Sequence, residues 1–455
     1  MNTIKNIATT ALKTWATGLF FINFAWAGIP VAHWTQANGV QVYLVSSPAI
    51  PMLDVQIDFD AGSRRDPAAQ AGLASVTANM AGKGVRAGTQ EGETALDENA
   101  LGEAWADLGA SFQGGASSDR MSFSLRSLSY PDLLDRAVRL AARQLAQPAF
   151  PADIWQRERE SLIAAIKEAN TRPGTLAGRA FAQAVYGSHP YGYEVTEATL
   201  SRIDVADMVT LYRQMIRPCR ARVTVVGAVD RAQADRLVQQ LFSRLDGHGA
   251  SNDCPALPAV PEVMPLTQAS EQNLPFDSAQ AHVLIGQPGF RRADPDYFAL
   301  TVGNYILGGG GFVSRLTHEV REKRGLSYSV YSAFAPAMHA GAFTVGLQTR
   351  PDQAQQAVQV SRDVLARFVA DGPTEAELQA AKDNLIGGFA LRIDSNRKLL
   401  DNVANIAWNQ LPLDYLDSWP QQVANVTVAD IKQAFARKLQ PEKMVTVVLG
   451  GVAAR

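Results

Sequence analysis

Two side chains late in the sequence, Arg321 and Tyr328, are of types that can act together on a carbonyl group. A guanidinium presents a planar fork of N–H donors and a phenol presents one O–H. Both suit gripping a peptide carbonyl or stabilising the oxyanion that develops on it. The pair lies within residues 308–331, Gly-Gly-Gly-Gly-Phe-Val-Ser-Arg-Leu-Thr-His-Glu-Val-Arg-Glu-Lys-Arg-Gly-Leu-Ser-Tyr-Ser-Val-Tyr. Leu316 and Val320, four apart, predict a short helix with Arg321 near its end. Gly325 breaks that helix, and the alternation over residues 327–333 predicts a strand carrying Tyr328. Seven residues apart across a turn, the two side chains can point the same way. On types alone the pair reads more readily as a solvated arginine and a core tyrosine. Gly308, Gly309, Gly310 and Gly311 follow an amphipathic run ending Tyr305-Ile306-Leu307. They suit a helix-ending turn with close packing, or a loop that lets substrate backbone pass.

The elements that must position these residues are legible upstream and repeated. Residues 41–45 and 52–59 alternate as strands around a Pro-containing turn, and 120–128 alternate again. Residues 67–81 predict a helix with Leu73, Val76 and Met80 on its apolar face. Asp66 before Pro67 is the expected N-cap. Helices are predicted over 132–146 and 153–171. Val205-Ala206-Asp207, a helical stretch, Pro218 and the strand Val223-Thr224-Val225-Val226 recur as Val428-Ala429-Asp430, a helical stretch, Pro441 and Val445-Thr446-Val447-Val448. In both copies proline lies eleven residues after the aspartate, the mark of an internal duplication. Residues 248–264, with Pro255, Pro258 and Pro261, predict an extended linker. The expected fold is α+β: two similar domains, 28–247 and 265–455, each an antiparallel-rich sheet backed by helices.

A chain of 455 residues exceeds what one core usually serves, and 47% apolar with 19% charged residues is ordinary for a globular protein. The net charge of -2 gives no reason to expect nucleic acid as a partner. Residues 1–27 predict a signal peptide: Lys5 and Lys13, a short apolar run, and the small-x-small site Ala25-Trp26-Ala27. An exported, periplasmic protein with no membrane span in the mature chain is expected. The two cysteines, Cys219 and Cys254, are free to pair or not as far as sequence tells.

Familiar catalytic signatures are missing. There is no Gly-x-Ser-x-Gly, Cys-x-x-Cys, phosphate loop or His-Glu-x-x-His; His318-Glu319 lacks its second histidine. His189-Pro190-Tyr191-Gly192 reads as a structural turn.

Several ordered segments nevertheless form a pattern: Gly62-Ser63-Arg64, the helix from Gly72 through Met80, Glu158-Arg159, His189-Pro190-Tyr191-Gly192, and the Gly308-to-Tyr328 block. Together, over essentially the whole mature chain, they resemble the pitrilysin/insulinase-type zinc peptidases, a group that includes the mitochondrial processing peptidases. The resemblance implies an inverted zinc motif, His-x-x-Glu-His, on the first of these helices, with a third ligand on a later helix. The matching positions here hold Ser75, Ala78, Asn79 and Ala165 (or its neighbour Ala164). A hydroxyl, an amide and methyl groups neither bind Zn²⁺ nor take a proton, so no cofactor is expected in this chain. Arg321 and Tyr328, by contrast, match the Arg/Tyr pair that such enzymes place opposite the zinc.

The resemblance therefore implies the non-metal-binding subunit of an exported heterodimeric zinc endopeptidase. A zinc-bearing homologous partner would supply the metal. This chain would supply Arg321 and Tyr328 for transition-state binding, and the residues 308–311 loop for an extended or unfolded peptide. Glu158 and His189 are secondary candidates, and residues 113–118 a possible peptide-binding edge strand. The alternative is a catalytically inactive peptide-binding, scaffold or chaperone protein of the same fold.

Overall fold

The computed structural model describes residues 28–88, 92–245 and 254–451; the expected signal segment and the start of the linker lie outside them. Among the described residues the strands form two sheets. The first orders β1 (Ala32–Thr35), β2 (Gln41–Ser46), β6 (Arg222–Gly227), β3 (Met52–Phe59), β5 (Met121–Leu128) and β4 (Ser111–Ala116). The second orders β7 (Ser270–Leu274), β11 (Val445–Leu449), β8 (Ala281–Pro288), β10 (Ala342–Thr349) and β9 (Val330–Phe334). With β1 set aside the two orders are the same, and in each the first pair is parallel and the rest antiparallel. The α+β duplication expected from the valine strands is the architecture. A second repeat runs beside it. Gly62-Ser63-Arg64-Arg65-Asp66-Pro67 follows β3 as Gly289-Phe290-Arg291-Arg292-Ala293-Asp294-Pro295 follows β8.

The first half carries helices α1 (Leu73–Met80), α2 (Glu98–Asp107), α3 (Pro131–Ala146), α4 (Ala152–Ala169), α5 (Pro173–Tyr186), α6 (Glu197–Leu200), α7 (Val205–Met215) and α8 (Arg231–Phe242). The second carries α9 (Tyr297–Asn304), α10 (Ala354–Asp371), α11 (Glu375–Gly387), α12 (Asn396–Asn409), α13 (Tyr415–Asn425) and α14 (Val428–Lys438). The duplicated helices α7 and α14 both open with a capping box, Asp204 with Asp207 and Thr427 with Asp430. α1 starts six residues later than the Asp66-Pro67 signal suggests. Gly72, at φ +104°, turns the chain so that the Gly72 and Ala74 amides donate to the buried Asp66 carboxylate at 2.9 and 3.0 Å. The aspartate thus serves the helix from a distance instead of as its N-cap.

Each half lends one helix to the other's sheet. α5 lies on β8 and β11, where Phe181 and Val185 pack against Val445 and Val447. α12 lies on β3 and β6, and its Leu399, Leu400 and Val403 share one apolar cluster with Tyr43, Val45 and Val226. Under α12 sits a polar layer. Buried Asp58 accepts from Gln56 at 3.0 Å and Arg120 at 3.2 Å, while Arg120 and Arg222 stack on Trp408. Burial raises the Asp58 carboxyl above its ordinary range, and Arg120 and the Ser122 and Gln56 hydrogen bonds oppose that.

The linker is a strap. Cys219 and Cys254 are disulfide-bonded, with Cα atoms 6.0 Å apart. From there three carbonyls are caught by first-half side chains: Arg220 donates to Pro255 at 2.7 Å, Arg65 to Pro258 at 2.9 Å, and His189 to Pro261 at 3.0 Å. A three-residue spacing matches the threefold repeat of an extended proline-rich chain, so these carbonyls face one way.

Candidate functional site

Two wide, π-type turns frame the Arg321 region. One, Tyr305–Gly309, continues α9 directly; the other, Thr317–Glu322, carries Arg321. Such turns insert a residue into a helix and recur at functional sites. Gly308 is buried at their meeting point: a Cβ there would lie 2.4 Å from the Ser332 amide nitrogen on edge strand β9. Asn304 and Ser332 tie the same contact, the Ser332 hydroxyl donating to Asn304 Oδ1 at 2.7 Å and Asn304 Nδ2 donating to the Ser332 carbonyl at 3.2 Å. Gly308 is thus a packing glycine. Gly311 differs: its φ of +61° turns the chain outward into open space.

The next residue is Phe312, 71% exposed. Its ring centroid is 4.8 Å from the Arg321 guanidinium carbon, and the Tyr328 centroid is 4.7 Å from the same atom. Arg321 is therefore held between two exposed aromatic rings. Its neighbours are all engaged. Glu319 pairs with Lys323 at 2.7 Å and Arg324 at 2.8 Å, which hold its carboxyl down to about 2. Glu322 pairs with His318 at 2.9 Å, and Arg315 is locked bidentately on Glu377. Among the described residues no carboxylate pairs with Arg321. Stacking fixes the guanidinium plane and leaves its N–H edge free, the arrangement that lets an arginine donate to a carbonyl or oxyanion.

The structure brings Arg321 and Tyr328 together, with one correction. β9 begins at Val330, so Tyr328 sits in the bend before the strand and not on it. That explains its 83% exposure. Sequence reasoning missed Phe312; the available signal was a large apolar residue directly after a glycine run.

Ser75 and Asn79 are exposed on α1, Ala78 is buried, and Ala165 is exposed on α4. Lys83, in the turn after α1, is ion-paired with Glu158 of α4 at 3.2 Å and with Glu98 at 2.7 Å. A donor set of hydroxyl, amide and methyls does not fit a divalent cation. Among the described residues no group of three His, Cys, Asp or Glu could hold a metal ion. Glu158 is thus engaged in a charge cluster. His189 is a clasp: Tyr191 N–H donates to its Nδ1 and its Nε2 donates to Pro261, while burial lowers its pKa. Residues 111–116 form edge strand β4, and Gly114 lets the Ala78 carbonyl of α1 approach closely.

Residues 41–199 match the family model for insulinase (peptidase family M16), and residues 202–385 match the model for the peptidase M16 inactive domain. A crystal structure of a peptidase M16 inactive domain from Pseudomonas fluorescens superposes with a TM-score of 0.85 at 33% identity, covering 93% of this chain and 98% of that one. The chain belongs to the insulinase (M16) family. Other M16 relatives include an uncharacterized zinc protease of Mycobacterium leprae, 28% identical over 93% of each chain. A non-peptidase homologue of Helicobacter pylori is 25% identical over 86% of this chain and 87% of its own. A Helicobacter pylori protease structure shares the fold, with a TM-score of 0.82 at 19% identity over 93% of this chain and all of that one. No helix of the described M16 chain is long and apolar enough to cross a membrane.

Proposed function

We propose that this M16 chain is the non-metal subunit of an exported, periplasmic heterodimeric zinc endopeptidase. The observation that carries the reading is the Arg321 guanidinium, clamped between Phe312 and Tyr328 with no acidic partner among the described residues, on a chain whose zinc-matched positions are Ser75, Ala78, Asn79 and Ala165. In the pair, the partner's zinc supplies water activation. This chain's Arg321 and Tyr328 bind the scissile carbonyl and stabilise its developing negative charge. The loop at residues 309–313 meets the extended peptide. A zinc-bearing homologue mixed with this chain should cleave an unstructured peptide faster than either chain alone. Equal rates with and without this chain would overturn the proposal.

A second reading, a peptide-holding or scaffold protein, is supported by β4, whose outer edge pairs with no strand among the described residues, and by the relative named a non-peptidase homologue. It requires that the chain bind an extended peptide alone and leave every homologous protease unaffected.

A further inference from the structure

A cavity of about 370 Å³ opens in the first half; neither Arg321 nor Ser75, Ala78, Asn79 or Ala165 lines it. It lies between the end of α3, residues 148–150, the last two turns of α7 and Leu245. Apolar groups make up part of its walls: Pro148, Phe150, Val209, the Tyr212 ring, Ile216 and Leu245. The Tyr212 hydroxyl is turned away, donating to the Leu145 carbonyl at 2.7 Å. Three guanidiniums, Arg86, Arg213 and Arg217, complete the lining, and no Asp or Glu joins them.

Two features separate this cavity from an ordinary surface dimple. Among the described residues none of the three arginines has an ion-pair or side-chain hydrogen-bond partner, and the Arg217 Nε is buried with no acceptor. A buried N–H without a partner costs stability unless something accepts from it. Phe150 holds a left-handed backbone, φ +48°, to present its ring to Tyr212 at 5.6 Å. A bulky residue seldom adopts that conformation, and such strain concentrates at binding sites.

We infer that this cavity binds a carboxylate carried on an apolar body, the Arg217 fork taking the carboxylate with Arg86 and Arg213 at the rim. The volume falls in the range of small-ligand sites. An apolar floor with a cationic rim rejects both inorganic anions, which leave the floor empty, and neutral apolar molecules, which leave Arg217 unsatisfied. A peptide's C-terminal apolar residue and a free fatty acid share this chemistry. The inference stands independently of the proteolytic reading.

The full chain is titrated calorimetrically with N-acetyl-L-phenylalanine, its C-terminal amide, decanoate and inorganic phosphate. The acid is expected to bind at least about ten-fold more tightly than the amide, the scale for losing one charge-assisted contact. Tighter binding of N-acetylphenylalanine than of decanoate assigns the site to peptide termini, and the reverse assigns it to fatty acids. Arg213→Gln with Arg217→Gln should weaken binding about ten-fold or more, with the melting temperature retained. Val209→Trp, which fills the cavity, should abolish binding. Equal binding of acid and amide, binding indifferent to both arginines, binding of phosphate alone, or no binding by about 10 mM ligand would each overturn the inference.

Discussion

Stripping the clamp around Arg321 one piece at a time gives a graded test. Arg321→Ala removes the only guanidinium between the two rings, and losing one oxyanion donor typically costs about 10²–10³ in turnover, roughly 3–4 kcal/mol. Phe312→Ala leaves the donor but removes one wall. An exposed cation–π contact is worth about 0.5–1 kcal/mol, so the loss should be only about two- to five-fold. Arg321→Lys keeps the charge, loses the planar fork, and should fall between the two. Tyr328 and Phe312 are 83% and 71% exposed, so none of these changes should move stability by more than about 0.5 kcal/mol. The assay is kcat/KM on an unstructured fluorogenic peptide, with the zinc-bearing homologue limiting and this chain saturating. If Arg321→Ala supports full activity while still associating with the partner, the assignment of the carbonyl-gripping role to this chain is refuted.

Other outcomes follow from geometry elsewhere. Gly308→Ala places a methyl 2.4 Å from the Ser332 nitrogen, a backbone atom that cannot swing away, and should cost about 1–3 kcal/mol in thermal melts. Gly311→Ala faces open space and should cost only the left-handed penalty, about 1 kcal/mol. Reducing Cys219–Cys254, which are 35 residues apart, should cost about 3–4 kcal/mol of chemical stability on loop-closure grounds. Burial pushes the Asp66 carboxyl up to about 7 against the pull of the Ala74, Gly72 and Leu73 amides. A folded pKa above the unfolded value means its stabilisation is complete below about pH 4 and lost as pH rises through about 7. Asp66→Asn, which keeps an acceptor but cannot ionise, should therefore gain relative to the native chain between pH 5 and pH 9 in urea melts. A gap independent of pH would show that Asp66 does not titrate there.

Local pattern carried the strands and the duplicated helix-to-valine-strand units, because alternation and capping act within a dozen residues. The Arg321–Tyr328 pairing was legible for the same reason, since a short turn limits where the two can point. Phe312 was not, because its exposure depends on the +61° turn at Gly311, which composition does not reveal. The extra residue in each π-type turn was invisible too, as Leu316 and Val320 keep helical spacing whether or not the helix widens. The late start of α1 depended on Gly72 bending the amides back to Asp66, a contact across six residues. The strap and the exchanged helices required knowledge of which distant surfaces meet. Pro255, Pro258 and Pro261 predicted extension, but nothing near them announced Arg220, Arg65 and His189 as their anchors.

The mutual loan of α5 and α12 has a consequence for how the molecule can be taken apart. A fragment ending before Ser270 would keep α5 with nothing to lie on, while Val223 and Val225 would stay roofed but the α12 side of Tyr43 and Val226 would be open to water. Each half alone would leave apolar surface uncovered. Severing the chain in the linker and producing the pieces separately should give two sticky, poorly folded polypeptides, whereas making them together should let each close the other's wound. The two halves are alike in build, yet each depends on the other for one of its roofs.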